Sequence, residues 1–164
     1  MVTTPSALLD RRQHINKLIV EMKTISDEIS SSLEYAECRP HIKTPNDAVE
    51  IVLYDLGIME QEEMWVMLLS TRNEVLHIQK TYRGTVNKSS VRAAEIFRSA
   101  IIENAPAIII FHNHPSGDPE PSPDDVFVTR QLVEVGKLLD IEILDHIIVA
   151  HGKHVSLKER RLGF

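Results

Sequence analysis

Near the start of the chain apolar residues recur every seventh position, at Leu8, Ile15, Met22 and Ile29, with Leu18 and Ile25 set between them. This is an a/d seam, and it predicts a long helix with Pro5 near its start. The polar run Ser30, Ser31, Ser32 and then Pro40 end it. Such a seam packs on its own domain or on a second copy, so self-association through residues 8 to 29 is expected.

A shorter helix follows, with Thr44-Pro45-Asn46 as its cap and Ala48, Val49, Val52, Leu53 and Leu56 as its apolar face. Gly57 fits its stop. Then the period shortens. Met64 to Leu69 and Val75 to Ile78 are runs of strand formers joined by the polar Thr71-Arg72-Asn73-Glu74, which predicts a hairpin. A further short strand is expected between Lys80 and Val86, with turns at Gly84 and Asn87. Helical spacing returns at Val91, Ala94, Phe97, Ala100 and Ile101, capped by Ser89 or Ser90 and stopped at Asn104-Ala105-Pro106. Ala107 to Phe111 is continuously apolar, as in a strand buried on both faces. After a Pro/Gly/Ser loop over Pro115 to Pro121, Ser122-Pro123-Asp124-Asp125 opens a helix that runs to about Leu139. Ile141 to Ala150 is another strand, and Val155 begins a short closing element. Alternating strands and helices give an α/β class with a mixed sheet, expected as an N-terminal helical extension over 1–40 and one domain over 44–164.

Composition narrows the function. Of 164 residues, 18 are Lys or Arg and 24 are Asp or Glu, for a net charge of −6. A broad phosphate-binding surface needs clustered cations, so nucleic acid is not favoured as a partner. Cys38 is the single cysteine, which excludes an intrachain disulfide and a Cys-rich metal site. The apolar run Ala105 to Phe111 is far shorter than the roughly 20 residues of a membrane span, and the first residues lack a signal-peptide pattern. A cytoplasmic chain with no membrane partner is the expectation.

The chemistry concentrates between Phe111 and Asp125. His112 and His114 are two apart at a strand end, so their side chains emerge on one side at the carboxyl edge of the sheet. The next helix puts Asp125 in its first turn. Two His and one carboxylate leave a fourth tetrahedral position open, the arrangement of a catalytic zinc. Zinc would acidify a bound water, and Glu62 or Glu63, opening the first strand, would supply the base. Ser122 lies three residues before Asp125, either as an oxyanion donor or simply as the helix cap. Asp124 and Asp125 both favour the helix N-terminus, so one of them can serve the dipole alone. Asp145 and His146 are adjacent, so they face opposite ways on a strand. One of them is a candidate to orient a ligand imidazole, and a structural hydrogen-bond pair is the alternative. His41, His77, His151 and His154 have no partners at ligand spacing. Trp65 reads as core.

The string His112-x-His114, seven residues, Ser122, two residues, Asp125 resembles the JAMM motif of MPN-domain metalloproteases. Its fuller form, His-Asn-His-Pro-Ser-Gly-Asp-Pro-x-Pro-Ser-x-x-Asp, resembles the RadC branch. Gly84-Thr85-Val86-Asn87, Glu95-Ile96-Phe97, Leu144-Asp145-His146-Ile147-Ile148 and Val155-Ser156-Leu157 resemble further segments of that branch, from about Thr44 to Phe164. The resemblance implies a three-layer MPN/JAB fold, similar to cytidine deaminases, with a mixed central sheet. It implies one Zn2+ per chain held by His112, His114 and Asp125. Glu62 becomes the acid/base, with Glu63 one residue of slip away, and Ser122 steadies the tetrahedral intermediate. The implied reaction is hydrolysis of peptide or isopeptide bonds, with a peptide or ubiquitin-like conjugate as substrate. Two departures stand out. Val91-Arg92-Ala93-Ala94-Glu95 replaces the Val-His-Pro-Arg-Glu common in that branch, and the helix-hairpin-helix-like N-terminal region is replaced by the seam. The alternatives are a DNA-repair-associated protein, a label such relatives carry, and a non-catalytic MPN scaffold.

Overall fold

The structure, a computed structural model, describes residues 17–18, 21–25, 39–84 and 91–164. The N-terminal seam lies largely outside these residues, of which 17–18 and 21–25 are helical. The turn at Asn87 and the caps at Ser89 and Ser90 also lie outside them. The chain divides into two compact units, Met1–Arg39 and Pro40–Phe164. Among the described residues no helix is long and apolar enough to cross a membrane.

In the second unit, helix α1 spans Pro45–Leu56. Thr44 Oγ1 accepts from the Asp47 N–H, and Asp47 Oδ2 accepts from the Thr44 N–H at 2.9 Å, a capping box that satisfies two end donors. Gly57 ends the helix in a right-handed conformation rather than a left-handed one. Glycine is required there because a Cβ would lie 2.6 Å from the Leu53 carbonyl oxygen. Strands β1 (Glu63–Leu69) and β2 (Val75–Arg83) form the expected hairpin. The separate short strand expected from Lys80 is instead the far half of β2. β1 is long enough to pair all of it, and Thr81 is the extra residue between Lys80 opposite Trp65 and Tyr82 opposite Met64.

Helix α2 (Ala93–Ile102) starts later than expected, with Arg92 as its N-cap and no side-chain cap bond. Its buried face is Ile96, Phe97 and Ala100, whereas Ile101 is 56% exposed and Ala94 faces solvent. The apolar spacing fits two adjacent stripes of the helix, and contact with the sheet selects the one containing Ile96. Strand β3 (Ala107–Asn113), helix α3 (Pro123–Leu139), strand β4 (Glu142–Ala150) and strand β5 (Lys153–Ser156) complete the unit.

The sheet order is β2-β1-β3-β4-β5. β3 and β4 are parallel and every other neighbouring pair is antiparallel, so the sheet is mixed. Central β1 and β3 are buried along their whole length because helices cover both faces. Trp65, Met67, Leu69, Ile109 and Phe111 pack with α1 through Val49, Val52 and Leu56. Met64, Val66, Leu68, Ile108 and Ile110 pack on the other face with Phe97, Val128 and Leu132 of α2 and α3. The result is the three-layer α/β/α arrangement. α3 carries the chain from the end of β3 to the start of β4, so its N-terminus stands at the carboxyl end of β3.

Candidate metal centre

Strand alternation decides what reaches the carboxyl end of β3. Ile108, Ile110 and His112 share the face that packs on α3, while Phe111 and Asn113 face α1. His114 follows the last strand residue. Ser122 caps α3 and its own N–H donates to Asp125 Oδ2 at 2.7 Å, while its Oγ accepts from the Asp125 N–H at 3.1 Å. Ser122 Oγ also donates to Asp125 Oδ2 at 2.6 Å. These bonds occupy one carboxylate oxygen and leave Oδ1 turned to His112 Nε2 at 3.3 Å.

The three side chains form the cluster of His, Cys, Asp and Glu groups, among the described residues, able to hold a metal ion. His112 Nε2 lies 2.9 Å from His114 Nε2, and His114 Nε2 lies 3.6 Å from Asp125 Oδ2. Bonds of roughly 2.0–2.1 Å at tetrahedral angles require donor atoms about 3.3–3.4 Å apart, so with the two imidazoles spread by a few tenths of an ångström the three side chains, whose donor atoms lie within 4.8 Å of one another, can hold one small ion.

Hydrogen bonds behind the cluster fix its protons. Thr129 sits one turn after Asp125 and donates its only hydroxyl proton to the Asp125 carbonyl at 2.6 Å. It can therefore only accept from His146 Nδ1–H, at 2.6 Å. His146 Nε2 is then bare and accepts from His112 Nδ1–H at 2.9 Å. That leaves His112 Nε2 unprotonated and facing the cluster, the state a metal ligand needs. Thr129 and His146 are wholly buried. Burial pushes His146 down to about 4, so its ring is neutral. Burial, then the neighbouring His146, hold His112 well below the usual histidine range.

His114 is different. Its Nδ1–H donates to the Asp118 carbonyl at 2.8 Å, which turns Nε2 to the cluster. Its hydrogen bond with Asp125 raises its proton affinity against partial burial, helped by Asp118 and the field of Glu62. For Asp125, burial pushes the carboxyl up. The His114 hydrogen bond, the electrostatic interaction with His112 and the Ser122 donors outweigh burial and hold it well below the usual carboxylate range.

The two adjacent glutamates separate cleanly. Glu62 lines a cleft of about 220 Å³ with His112, His114, Ser116, Ser122 and Asp125. Glu63 is buried on the α1 face, where its Oε2 accepts from Trp65 Nε1 at 2.8 Å and Oε1 lies 3.6 Å from Arg83 Nε. Asp145 and His146 separate in the same way. Asp145 faces away from the cluster, accepting from Ser156 Oγ at 2.6 Å and from the Lys158 N–H, and so ties down the end of β5. Burial raises its carboxyl, though these bonds oppose it. His41, His77, His151 and His154 stand outside the cluster. A larger cavity of about 480 Å³ lies at the opposite end of the parallel strands, lined by Val133, Ile141, Ile143 and Phe164 among others, without convergent donors of this kind.

Sequence reasoning missed Thr129 and Asn113. Thr129 is four residues after Asp125, so it lies one helical turn beneath it, a spacing readable in advance. Asn113 is a polar residue closing an apolar period-two run.

The RadC-like JAB domain family matches residues 42–162. The chain is 46% identical over 132 residues to a UPF0758 protein of Roseiflexus castenholzii, covering 80% of this chain and 57% of that protein. It is 43% identical over 122 residues to one of Desulforudis audaxviator, with 74% and 53% covered. A UPF0758 protein of Clostridium botulinum is 46% identical over 119 residues, with 73% and 52% covered. The chain thus spans about half the length of these curated relatives.

Proposed function

The chain belongs to the RadC-like JAB domain family, and from that premise we propose that it is a zinc-dependent hydrolase of peptide or isopeptide bonds. The observation that carries the reading is a single cleft lined by two imidazoles, one aspartate, one glutamate and two serine hydroxyls. His112, His114 and Asp125 would hold the ion through Nε2, Nε2 and a carboxylate oxygen. A bound zinc ion supplies Lewis acidity and brings the pKa of a water near neutrality. Glu62 stands across the cleft as the group that takes a proton from the attacking water and returns it to the leaving amine. The Ser122 hydroxyl would stabilise the oxygen on which negative charge develops by turning its proton there from Asp125 Oδ2. The relay through His146 and Thr129 keeps the His112 proton on Nδ1. A peptide or ubiquitin-like conjugate is the proposed substrate class.

The test is metal content by mass spectrometry for wild type beside His114→Ala, followed by hydrolysis of peptide and isopeptide substrates. About one zinc per chain in the wild type, none in the variant and zinc-dependent cleavage are expected. Equal metal in both proteins, or cleavage that survives removal of metal, would overturn the reading. We also propose self-association through residues 8 to 29, on the heptad spacing of that segment. Light scattering of the full chain and of a chain lacking those residues checks it, and a monomer in both removes it.

A further inference from the structure

We propose that Asn113 is the positioning residue for Glu62, an inference that rests on the reading of Glu62 as the acid/base. Asn113 stands between the two imidazole ligands in sequence, yet strand alternation turns it to the opposite face, where it is 2% exposed. Its amide is fully used. Oδ1 accepts from the Glu63 N–H at 2.7 Å. Nδ2 donates to the Gln61 carbonyl at 3.0 Å and to the Met59 carbonyl at 3.1 Å. The partners fix which end is oxygen, because an N–H must meet the oxygen and two carbonyls must meet the NH2 group.

The placement of those partners gives the bonds their meaning. The Gln61 carbonyl belongs to the peptide unit before Glu62, and the Glu63 N–H to the unit after it. One side chain thus grips both peptide planes that flank Glu62. The Glu62 carbonyl is held as well, accepting from the Gly84 N–H at 2.8 Å. Glu62 lies just ahead of β1, which begins at Glu63, and the bond from Gly84 holds the peptide unit after it, whereas Asn113 also holds the one before. The tripeptide His112-Asn113-His114 therefore presents two metal ligands on one side and, on the other, the clamp that sets where the opposing carboxylate stands. An aspartate there would turn a second acceptor toward two carbonyls, and a glutamine would be one methylene too long. The side chain acts through Glu62 and touches neither the cluster nor the cleft.

The test uses the full chain loaded with cobalt(II), whose visible spectrum reports the metal's surroundings without any substrate. The spectrum is titrated with pH for wild type, Asn113→Leu, Glu62→Gln and the double variant. Glu62→Gln is expected to move the midpoint, and Asn113→Leu to move it in the same direction. The double variant should match Glu62→Gln alone, with one cobalt bound throughout. Hydrolysis by zinc-loaded protein should follow the same cycle, with kcat lowered by Asn113→Leu on the order of 10- to 100-fold and no further loss in the Glu62→Gln background. A lowered melting temperature with an unmoved midpoint and unchanged kcat, or effects that add in the double variant, overturns the clamp. An unmoved midpoint and full hydrolysis in Glu62→Gln overturns the reading of Glu62 itself, and the clamp with it. Should Asn113→Leu not fold, Asn113→Asp keeps the Oδ1 acceptor, removes both donors and is read against the same outcomes.

Discussion

His112 and His114 carry the same imidazole two residues apart, and the fold treats them in opposite ways. His112 is wholly buried, and its outer nitrogen is bonded to a second buried histidine. His114 keeps 16% of its side chain exposed and is held by a loop carbonyl and a carboxylate. Burial drives the first below the usual histidine range, while Asp125 raises the second above it. The inner wall of the site is therefore part of the core. The outer wall is a loop and a helix end that solvent reaches. A donor set split in this way holds one imidazole in a fixed tautomer and leaves the other side open to solvent.

The largest effects should come from crossing that divide. Both His112→Ala and His114→Ala are expected to reduce bound metal from about one per chain to none. Above the pH at which His114 loses its proton in the folded state, only the inner change should also lower the stability of the metal-free protein, by about 1–3 kcal/mol, because it strands His146 Nε2 without a donor. Metal analysis and urea midpoints of metal-free protein measure the two. Equal destabilisation by both variants would erase the distinction between the walls. On the outer side, Glu62→Gln should keep the metal and lose roughly 10²–10⁴-fold in hydrolysis. Glu63→Gln should keep hydrolysis and cost stability through the Trp65 bond.

The outer wall was legible in the sequence and the inner wall only half so. His112, His114, Ser122 and Asp125 follow from strand and cap spacing, and those local rules also fix α1, α3, β1, β3 and β4, whereas the extent of β2 was set by its pairing with β1. The two glutamates needed the structure, because one residue of slip exchanges their faces. Met64 opposite His112 sets the register, and so sends Glu62 to the cleft and Glu63 to Trp65. The relay through His146 joins β3, β4 and α3, and pairings of that range carry no local signal. The face of α2 was misread for a related reason. Two adjacent stripes were apolar, and only packing on the sheet chose between them.

Acid should act on the two walls with opposite sign. The His146 pKa is pushed from 6.5 to about 4 in the folded state. Between those values the unfolded chain binds the proton and the folded one does not, so stability falls as pH drops from 6.5 to about 4 and levels below it. The expected loss is up to about 3 kcal/mol for a group this buried. His112 adds to it in the same direction. The raised His114 stabilises the fold below its unfolded pKa, and that contribution is lost as pH rises through its folded value. Urea midpoints of metal-free protein across this range measure both arms. His146→Phe should flatten the acid arm, and His114→Gln the other. An acid arm unchanged in His146→Phe would break the assignment.

Thr129→Val preserves the shape and removes the hydroxyl that anchors the relay. His146 Nδ1–H then loses its acceptor, and the favoured tautomer carries its proton on Nε2, facing His112 Nδ1. The His112 proton is pushed to the nitrogen the metal requires. Metal affinity is expected to fall 10- to 100-fold while Glu62 and His114 stay in place. Competition with a chelator of known affinity reads it. Unchanged affinity would mean that the relay is packing alone.

Ser122 should give the smallest effect and the finest resolution, because the helix cap and the cleft claim the same hydroxyl. Its Oγ accepts from the Asp125 N–H and donates to Asp125 Oδ2, and it also lines the cleft with Glu62. Ser122→Ala removes both roles and should cost about 1 kcal/mol of stability through the lost cap. Ser122→Asn restores a capping oxygen without the hydroxyl, so it should recover most of that stability. If the hydroxyl also serves the reaction, Ser122→Asn stays slow with its fold restored. Recovery of rate along with stability would confine Ser122 to holding Asp125 in place. The outer wall would then owe its chemistry to Glu62 and the metal cluster alone.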